Sequence, residues 1–280
     1  MRLSFADSFS SAFDAARGFR WTEYAPFFWM LAVEWIFLAL CTQLHSAWAM
    51  GLIAPLARLV GGEGNLHYPV FFGYVSVLLG WLESFLYTVP GALLIPLALL
   101  RYYARTDRAL SLGAGASSRL AGAFLPTLVA GLAGVGAITG WQRFASPVVT
   151  SAIRAVVAEP LGGYLGWLAV TLGGYAITIL LLYVPVAAVQ ARTNPIRAFA
   201  YGIRFGFRSW PVTIWFAILF GIPSMIVQFV LERQGGLILT HLRPELITVF
   251  LGLYATVASL ATYFTYGAAA RLYRSARGEE

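Results

Sequence analysis

Residues 161–188 read LGGYLGWLAVTLGGYAITILLLYVPVAA, and this stretch decides the fold class because it contains no charged residue. A bilayer core about 30 Å thick is crossed by about 20 apolar residues in one helix. In lipid, a helix satisfies its own backbone hydrogen bonds, which an extended single chain cannot do. The stretch therefore predicts a transmembrane helix.

Five further stretches of the chain have the same character. They are residues 25–43, 69–100, 120–140, 210–231 and 245–270. Pro90 interrupts the second of these stretches and predicts a bend there, because proline has no backbone N–H to donate. We therefore expect an all-α, polytopic membrane helical bundle with six transmembrane helices, formed by residues 1–280 as a single integral membrane domain.

The composition excludes a water-soluble globule. Hydrophobic residues make up 59% of the chain and charged residues 11%, whereas an average soluble domain carries about 25% charged residues. Cys41 is the sole cysteine, which excludes an intrachain disulfide and a multi-cysteine metal site.

Arginine placement predicts the orientation of the bundle. All 19 cationic residues are arginine, and the net charge is +7. The connections on one side of the six spans, together with both termini, hold 14 of the 19. By the positive-inside rule, this predicts that both termini are cytoplasmic. The membrane is expected to be a bacterial inner membrane. The excess charge indicates anionic membrane lipid as a partner, not nucleic acid.

Two segments show helical amphipathicity before a span, and we expect both to lie in the membrane interface. Residues 3–20 place Phe5, Phe9, Ala12, Phe13 and Ala16 on one face. Residues 194–208 do the same with Ile196, Phe199, Ala200, Ile203 and Phe207. The arginines predicted to contact lipid or a partner from these segments are Arg17, Arg20, Arg197, Arg204 and Arg208.

The two amphipathic segments also resemble each other. The pattern AF…R-GFR at 12–20 recurs as AF…RFGFR at 198–208, and the loop 101–119 offers a weaker third copy. This suggests an internal repeat in which each amphipathic segment precedes a helical hairpin. The alternative is that any interfacial helix before a span shows such a pattern. Two apolar loops, 46–60 and 146–158, are predicted to be interfacial helices or re-entrant segments.

Residues 184–216, VPVAAVQARTNPIRAFAYGIRFGFRSWPVTIWF, carry a family resemblance. They resemble a segment of bacterial multi-helix membrane proteins related to the membrane domain of glycerophosphodiester phosphodiesterases. In that family a span ending in proline precedes an amphipathic helix and then an aromatic-led span. Ala198, Arg204, Arg208 and Trp210 occupy comparable places here. The resemblance implies an architecture and no catalytic residue.

Two carboxylates, Glu34 and Glu83, lie inside predicted spans. From its entry point, Glu34 is about 13 Å deep, and Glu83 is about 9 Å above the same face. We therefore expect the two on facing sides of a helical hairpin, pointing into protein. There they could share a proton, bind a cation or face a polar cavity; the alternative is a structural role through hydrogen bonds.

Glycine spacing predicts close helix packing in the third and fourth spans. The pairs Gly136-xxx-Gly140 and Gly162-xxx-Gly166 fit this motif. Packing inside the bundle, self-association and a hinged gate are the three alternatives.

The chain shows no metal-ligand motif, no nucleophile–base set and no cofactor motif. We therefore expect a protein that is not an enzyme and has no cofactor. The favoured function is a transport-related or accessory subunit of a membrane assembly, with other membrane subunits or itself as partner. The alternatives are an autonomous transporter or channel for a small solute or lipid, and an ABC-exporter permease subunit. A cavity reaching both glutamates would favour a transporter, and a solid bundle would favour a subunit.

Overall fold

The computed structural model describes residues 5–43, 46–106, 115–190, 194–241 and 243–277. These residues form ten α-helices and contain no β-strand. The helices are α1 Phe5–Arg17, α2 Trp21–Thr42, α3 Ala47–Gly61, α4 Val70–Thr88, α5 Gly91–Thr106, α6 Ala116–Gly140, α7 Ser146–Val156, α8 Leu161–Gln190, α9 Pro195–His241 and α10 Leu246–Arg277. A 3-10 turn precedes α4 and a π-helical turn joins α6 to α7.

Six helical segments are long and apolar enough to cross a membrane, which confirms the predicted all-α polytopic bundle. They are Trp21–Thr42, Val70–Thr88, Ala116–Val156, Leu161–Gln190, Pro195–Leu231 and Leu246–Ala276. The bend expected at Pro90 is a complete break, since α4 ends at Thr88 and α5 begins at Gly91. Pro90 accepts through its carbonyl from Leu94 N at 2.9 Å but has no N–H to continue α4.

The N-terminal amphipathic segment forms α1, which packs on α10. Its protein-facing side consists of Ser11, Ala12 and Ala15, which are all buried. Phe9 and Phe13 are 60% and 62% exposed. The predicted apolar face is therefore divided: small residues contact the bundle, and the two phenylalanines are left for a lipid environment.

The second amphipathic segment is helical, but it is continuous with the span that follows it, and its location in the membrane interface stays a prediction. Residues 195–208 are the first turns of α9, which continues without interruption past Pro211. Gly202 and Gly206 let this region approach the backbone of α8: a Cβ at Gly202 would lie 2.5 Å from the Cα of Val184. Packing against α8 therefore keeps residues 195–208 in one helix with the following span, although the sequence suggests a helix boundary between them.

The two apolar loops are helices. In α3, Ala49, Ile53 and Ala57 are buried at four-residue spacing, which packs one face against the neighbouring helices. In α7, no residue is buried, and the helix lies along the beginning of α8. Both are too short to cross a bilayer of about 30 Å. The weak third repeat at 101–119 falls partly on residues 107–114, outside the described residues.

Two hydrophobic cores occupy opposite ends of the bundle. The first joins α1, the end of α5, the start of α9 and the end of α10, and includes Tyr103, Tyr183 and Leu272. We call this the arginine-rich end, because Arg105 and Arg271 lie there beside α1. The second core joins α2, α3, the start of α4, the end of α9 and the start of α10.

Candidate functional site

A cavity of about 410 Å³ lies between these two cores. Its walls come from α2, α4, α5, α6, α8, α9 and α10. Small side chains line the walls on two of these helices: Ala130 on α6, and Ala255 and Ala258 on α10. The volume falls within the range of small-molecule sites, about 300–1,000 Å³.

The structure brings Glu34 and Glu83 to this same cavity. Glu34 is on α2 and is only 1% exposed, so it does not face hydrocarbon. Its Oε1 is buried and has no hydrogen-bond partner among the described residues. Glu83 on α4 is half-buried, and Tyr87 lies one helical turn further along the same wall. The cavity is therefore acidic on the side of α2 and α4.

Hydroxyl side chains make up most of the remaining polar wall. Thr127 donates to Ala123 O at 2.7 Å, and Thr265 donates to Ala261 O at 2.7 Å. The other lining hydroxyls that donate to a carbonyl of their own helix are Ser84, Thr178, Ser224 and Thr262. With its proton committed to the backbone, each oxygen presents only lone pairs to the cavity.

The described residues of the lining include no cationic side chain. Among them there is no arginine, lysine or histidine. Four tyrosines line the cavity: Tyr87, Tyr175, Tyr254 and Tyr266. The two carboxyl groups thus share a space with hydroxyl groups, aromatic rings and apolar groups, and have no counter-ion among the described residues of the walls.

The cavity is closed toward the arginine-rich end. Lining residues on that side, Thr88, Ile95 and Thr127, are at most 5% exposed. Ser84 on α4, Val135 on α6 and Thr178 on α8 also line the cavity, and all three are exposed. The opening is therefore on the side formed by α4, α6 and α8.

Charged residues tie the helices together at the closed end. Glu23, only 2% exposed, accepts from the Tyr263 hydroxyl at 3.1 Å, and its Oε1 is 3.8 Å from Arg105 Nη1. Arg105 also donates to Gly18 O at 2.9 Å. These contacts join the start of α2, the end of α5 and α10 with the link that follows α1.

A second ion pair at the arginine-rich end involves α10. Arg271 Nη1 is 3.0 Å from Asp14 Oδ2, and Arg271 Nε donates to the Tyr102 hydroxyl. Arg101 donates to Thr22 O at 2.8 Å. Because both α1 and the end of α10 take part, the two ends of the described chain lie at the same end of the bundle.

The five arginines predicted to contact lipid or a partner lie outside the cavity. Arg17, Arg20, Arg197, Arg204 and Arg208 are all exposed. The guanidinium carbon of Arg17 lies 5.2 Å from the centre of the Phe13 ring. Their position at the arginine-rich end fits an interfacial role, and lipid contact stays a prediction.

The glycine pairs differ in what they contact. A Cβ at Gly136 or Gly140 would meet nothing within 4 Å among the described residues, so this pair does not pack helices within one chain. The packing glycines of α6 lie earlier, where Gly131 approaches Thr88 Cα and Gly134 approaches Leu181. Gly166 does fit the expectation, since its Cβ would lie 3.1 Å from Thr150 Cγ2 on α7.

Gly162, the partner of Gly166, has a different role. A Cβ there would collide with the carbonyl oxygen of Val157, in the turn that leads from α7 into α8. This glycine permits a close turn, so it does not act as part of a helix-packing pair. Gly162 has this role because it lies in the first turn of α8, which begins at Leu161.

Sequence reasoning did not find the hydroxyl wall, the tyrosines or the network around Glu23. A signal was present: Thr127, Ser224 and Thr262 interrupt apolar spans with polar side chains. The charge bias places Arg105 and Arg271 on one side of the membrane, but it does not indicate which side chains they contact.

No family model, no curated protein and no solved structure matches the chain. The resemblance to the membrane domain of glycerophosphodiester phosphodiesterases therefore stays a prediction. Within the described residues, no group of three or more histidine, cysteine, aspartate or glutamate side chains could hold a metal ion.

Proposed function

We propose that this integral membrane protein is an autonomous transporter for a small solute, which enters the cavity beside Glu34 and Glu83. The observation that carries the proposal is the buried, unpartnered Glu34 Oε1 on the wall of a cavity. This favours the transporter over the accessory subunit that the sequence alone favoured, because a subunit does not need an acidic cavity within its own bundle.

The free energy of placing an acid in a membrane span supports this choice. Insertion scales assign about 2.5–3.5 kcal/mol to a charged residue such as aspartate at the centre of a helix. A structural glutamate would recover part of this through hydrogen bonds, yet Glu34 Oε1 has none within the described residues. A ligand that visits the cavity supplies the missing partner.

The closed end supplies the second element of a transporter. The contacts of Glu23 and Arg271 hold α2, α5 and α10 together beneath the cavity. We propose that these contacts form in one state and separate in another, which would open the arginine-rich end. The break at Pro90 lets α5 move with respect to α4, since no helical hydrogen bonds continue through it.

The setting of the transporter is also a proposal. We infer a bacterial inner-membrane location with both termini cytoplasmic, supported by the arginine bias of the connections. Exposed Arg197, Arg204 and Arg208 would contact anionic lipid phosphates there. The function is proposed to be non-enzymatic.

Single-cysteine labelling tests the transporter proposal without knowledge of the solute. Cys41 is first replaced by alanine, and a cysteine is placed at Ala258 on the cavity wall. A transporter will expose Ala258→Cys to a membrane-impermeant thiol reagent from both sides, in right-side-out and in inverted vesicles. The matched control is Ala187→Cys, whose side chain is fully buried in the first core and is expected to stay unlabelled.

A static subunit gives a different result in the same experiment. Ala258→Cys would then react from one side only, or from neither side. Either result would contradict the proposal that the cavity alternates between the two faces of the membrane.

A further inference from the structure

We propose that the cavity binds a small organic ammonium cation, held by Glu34 and Glu83 and by the tyrosine rings around them. The inference names the solute class for the proposed transporter. Binding itself requires only the cavity described above, so it can be tested apart from transport.

Charge is the first argument. Two carboxyl groups line the cavity, and among the described residues of its walls none is arginine, lysine or histidine. A buried carboxylate needs an opposite charge or hydrogen-bond donors to offset its lost hydration. An ammonium group provides both, and its N–H can donate to the unpartnered Oε1 of Glu34.

The hydroxyl wall is the second argument, and it is independent of the glutamates. Thr127, Thr262 and Thr265 donate their protons to carbonyls of their own helices. Their oxygens therefore offer lone pairs and no proton to a ligand. These acceptors suit a cation, which needs lone pairs, while the tyrosine hydroxyls of the lining can also donate.

The tyrosines and the apolar surface are the third argument, because they select an organic cation over a metal ion. Tyr87, Tyr175, Tyr254 and Tyr266 line the cavity beside isoleucine and leucine side chains. Aromatic faces attract ammonium groups, as in sites for quaternary ammonium ligands. A cavity of about 410 Å³ is much larger than a bare ion, and the described residues contain no metal-binding cluster.

Binding to the full-length protein in lipid nanodiscs tests this proposal. The probe is benzylammonium, which is charged at neutral pH and carries a small aromatic group. Benzyl alcohol is the neutral comparison, since it has almost the same shape. Calorimetric titration is expected to show benzylammonium binding at least about tenfold more tightly than benzyl alcohol, after subtraction of empty nanodiscs.

Matched variants locate the site. Glu34→Gln and Glu83→Gln are each expected to weaken benzylammonium binding about tenfold or more and to leave benzyl alcohol unaffected. Glu63→Gln is the control, because Glu63 lies outside the cavity, pairs with Arg58 at 2.7 Å and is exposed. Its affinity for the probe should equal that of the unmodified protein.

Three results would overturn the proposal: equal affinity for the charged and the neutral probe, unchanged affinity in both glutamate variants, or displacement of benzylammonium by an equal concentration of sodium. The outcome is separable from that of the transport test. If Ala258→Cys is labelled from both sides but benzylammonium does not bind, the transporter proposal is supported and the ammonium solute class is contradicted. If benzylammonium binds but labelling occurs from one side only, the binding site is supported and the transporter proposal is contradicted.

Discussion

Glu23 and Glu63 show how differently two glutamates of this chain are placed. Glu23 is buried, accepts a hydrogen bond from Tyr263 and lies near Arg105. Glu63 pairs with Arg58 on the surface, where the two side chains are 72% and 52% exposed. A surface ion pair contributes about 0–1 kcal/mol, whereas removing one partner of a buried pair costs several times more.

We therefore expect Glu23→Gln to lower the thermal unfolding midpoint in detergent by several degrees. Glutamine still accepts from Tyr263 but leaves Arg105 without its carboxylate. Because Arg105 is 29% exposed, the loss should lie below the range of about 3–5 kcal/mol for fully buried pairs, at about 1–3 kcal/mol. Glu63→Gln should change the midpoint by less than about one degree. Equal shifts in the two variants would contradict a stabilising role for the Glu23 contacts.

The glutamates of the spans illustrate what can be predicted at the residue scale. The depths of Glu34 and Glu83 follow from helical rise and span position alone, so their shared location could be anticipated. The tyrosines of the cavity could not, because a tyrosine in a span also occurs at packing contacts and interfaces. Only the arrangement of seven helices distinguishes Tyr175, on the cavity, from Tyr183, in the first core.

At the scale of elements, the local sequence determines where a helix breaks, whereas contacts with neighbouring helices determine whether a helix continues through a proline. The sequence predicts a bend at Pro90, and the structure has a complete break there, since the missing N–H cannot be replaced. Pro211 does not end α9, because Gly202 and Gly206 place the preceding turns directly against α8. The contact with α8 lies outside the local sequence, so the continuity of residues 195–208 with the following span could not be predicted from it.

The close approach of α8 and α9 gives a prediction at this scale. A Cβ at Gly202 would lie 2.5 Å from Val184 Cα, which is backbone and cannot rotate away. Gly202→Ala is therefore expected to separate the two helices and to destabilise the protein by about 1–3 kcal/mol. Thermal unfolding in detergent measures the loss.

Gly136→Ala is the control for this change. Its Cβ would meet nothing within 4 Å among the described residues, and alanine favours a helix over glycine by roughly 1 kcal/mol. This variant should be unchanged or more stable in detergent. Destabilisation by Gly136→Ala as large as that by Gly202→Ala would indicate that α6 packs on another copy of the chain.

At the scale of the whole molecule, the two ends of the bundle differ in charge and in packing. Asp14 on α1 and Arg271 on α10 meet at the arginine-rich end, whereas the Arg58–Glu63 pair joins the last turn of α3 to the 3-10 turn that follows it, near the second core. The number of spans and the common side of the two chain ends could be predicted from hydropathy and arginine counts. The cavity could not, because it depends on which helix faces touch.

The orientation of this molecule in the membrane is testable by labelling in intact cells. In a Cys41→Ala background, a cysteine at Gly64 should react with an impermeant thiol reagent, since the 3-10 turn that carries it is exposed. A cysteine at Ser275, near the end of α10, should be protected until the cells are opened. The reverse pattern would place the arginine-rich end outside, against the positive-inside rule.

The central claim of this account is that the chain by itself moves an organic cation through its acidic cavity. The most direct measurement is uptake of radiolabelled benzyltrimethylammonium into liposomes that contain only this protein, with a negative potential imposed inside. This probe is permanently charged, so it cannot cross lipid by losing a proton. It has no N–H, so its uptake depends on charge and on aromatic contacts and not on a hydrogen bond to Glu34. We predict uptake well above that of protein-free liposomes, unchanged in Glu63→Gln and lost in Glu34→Gln. Uptake no greater than in protein-free liposomes, or equal uptake with Glu34→Gln, would contradict the claim.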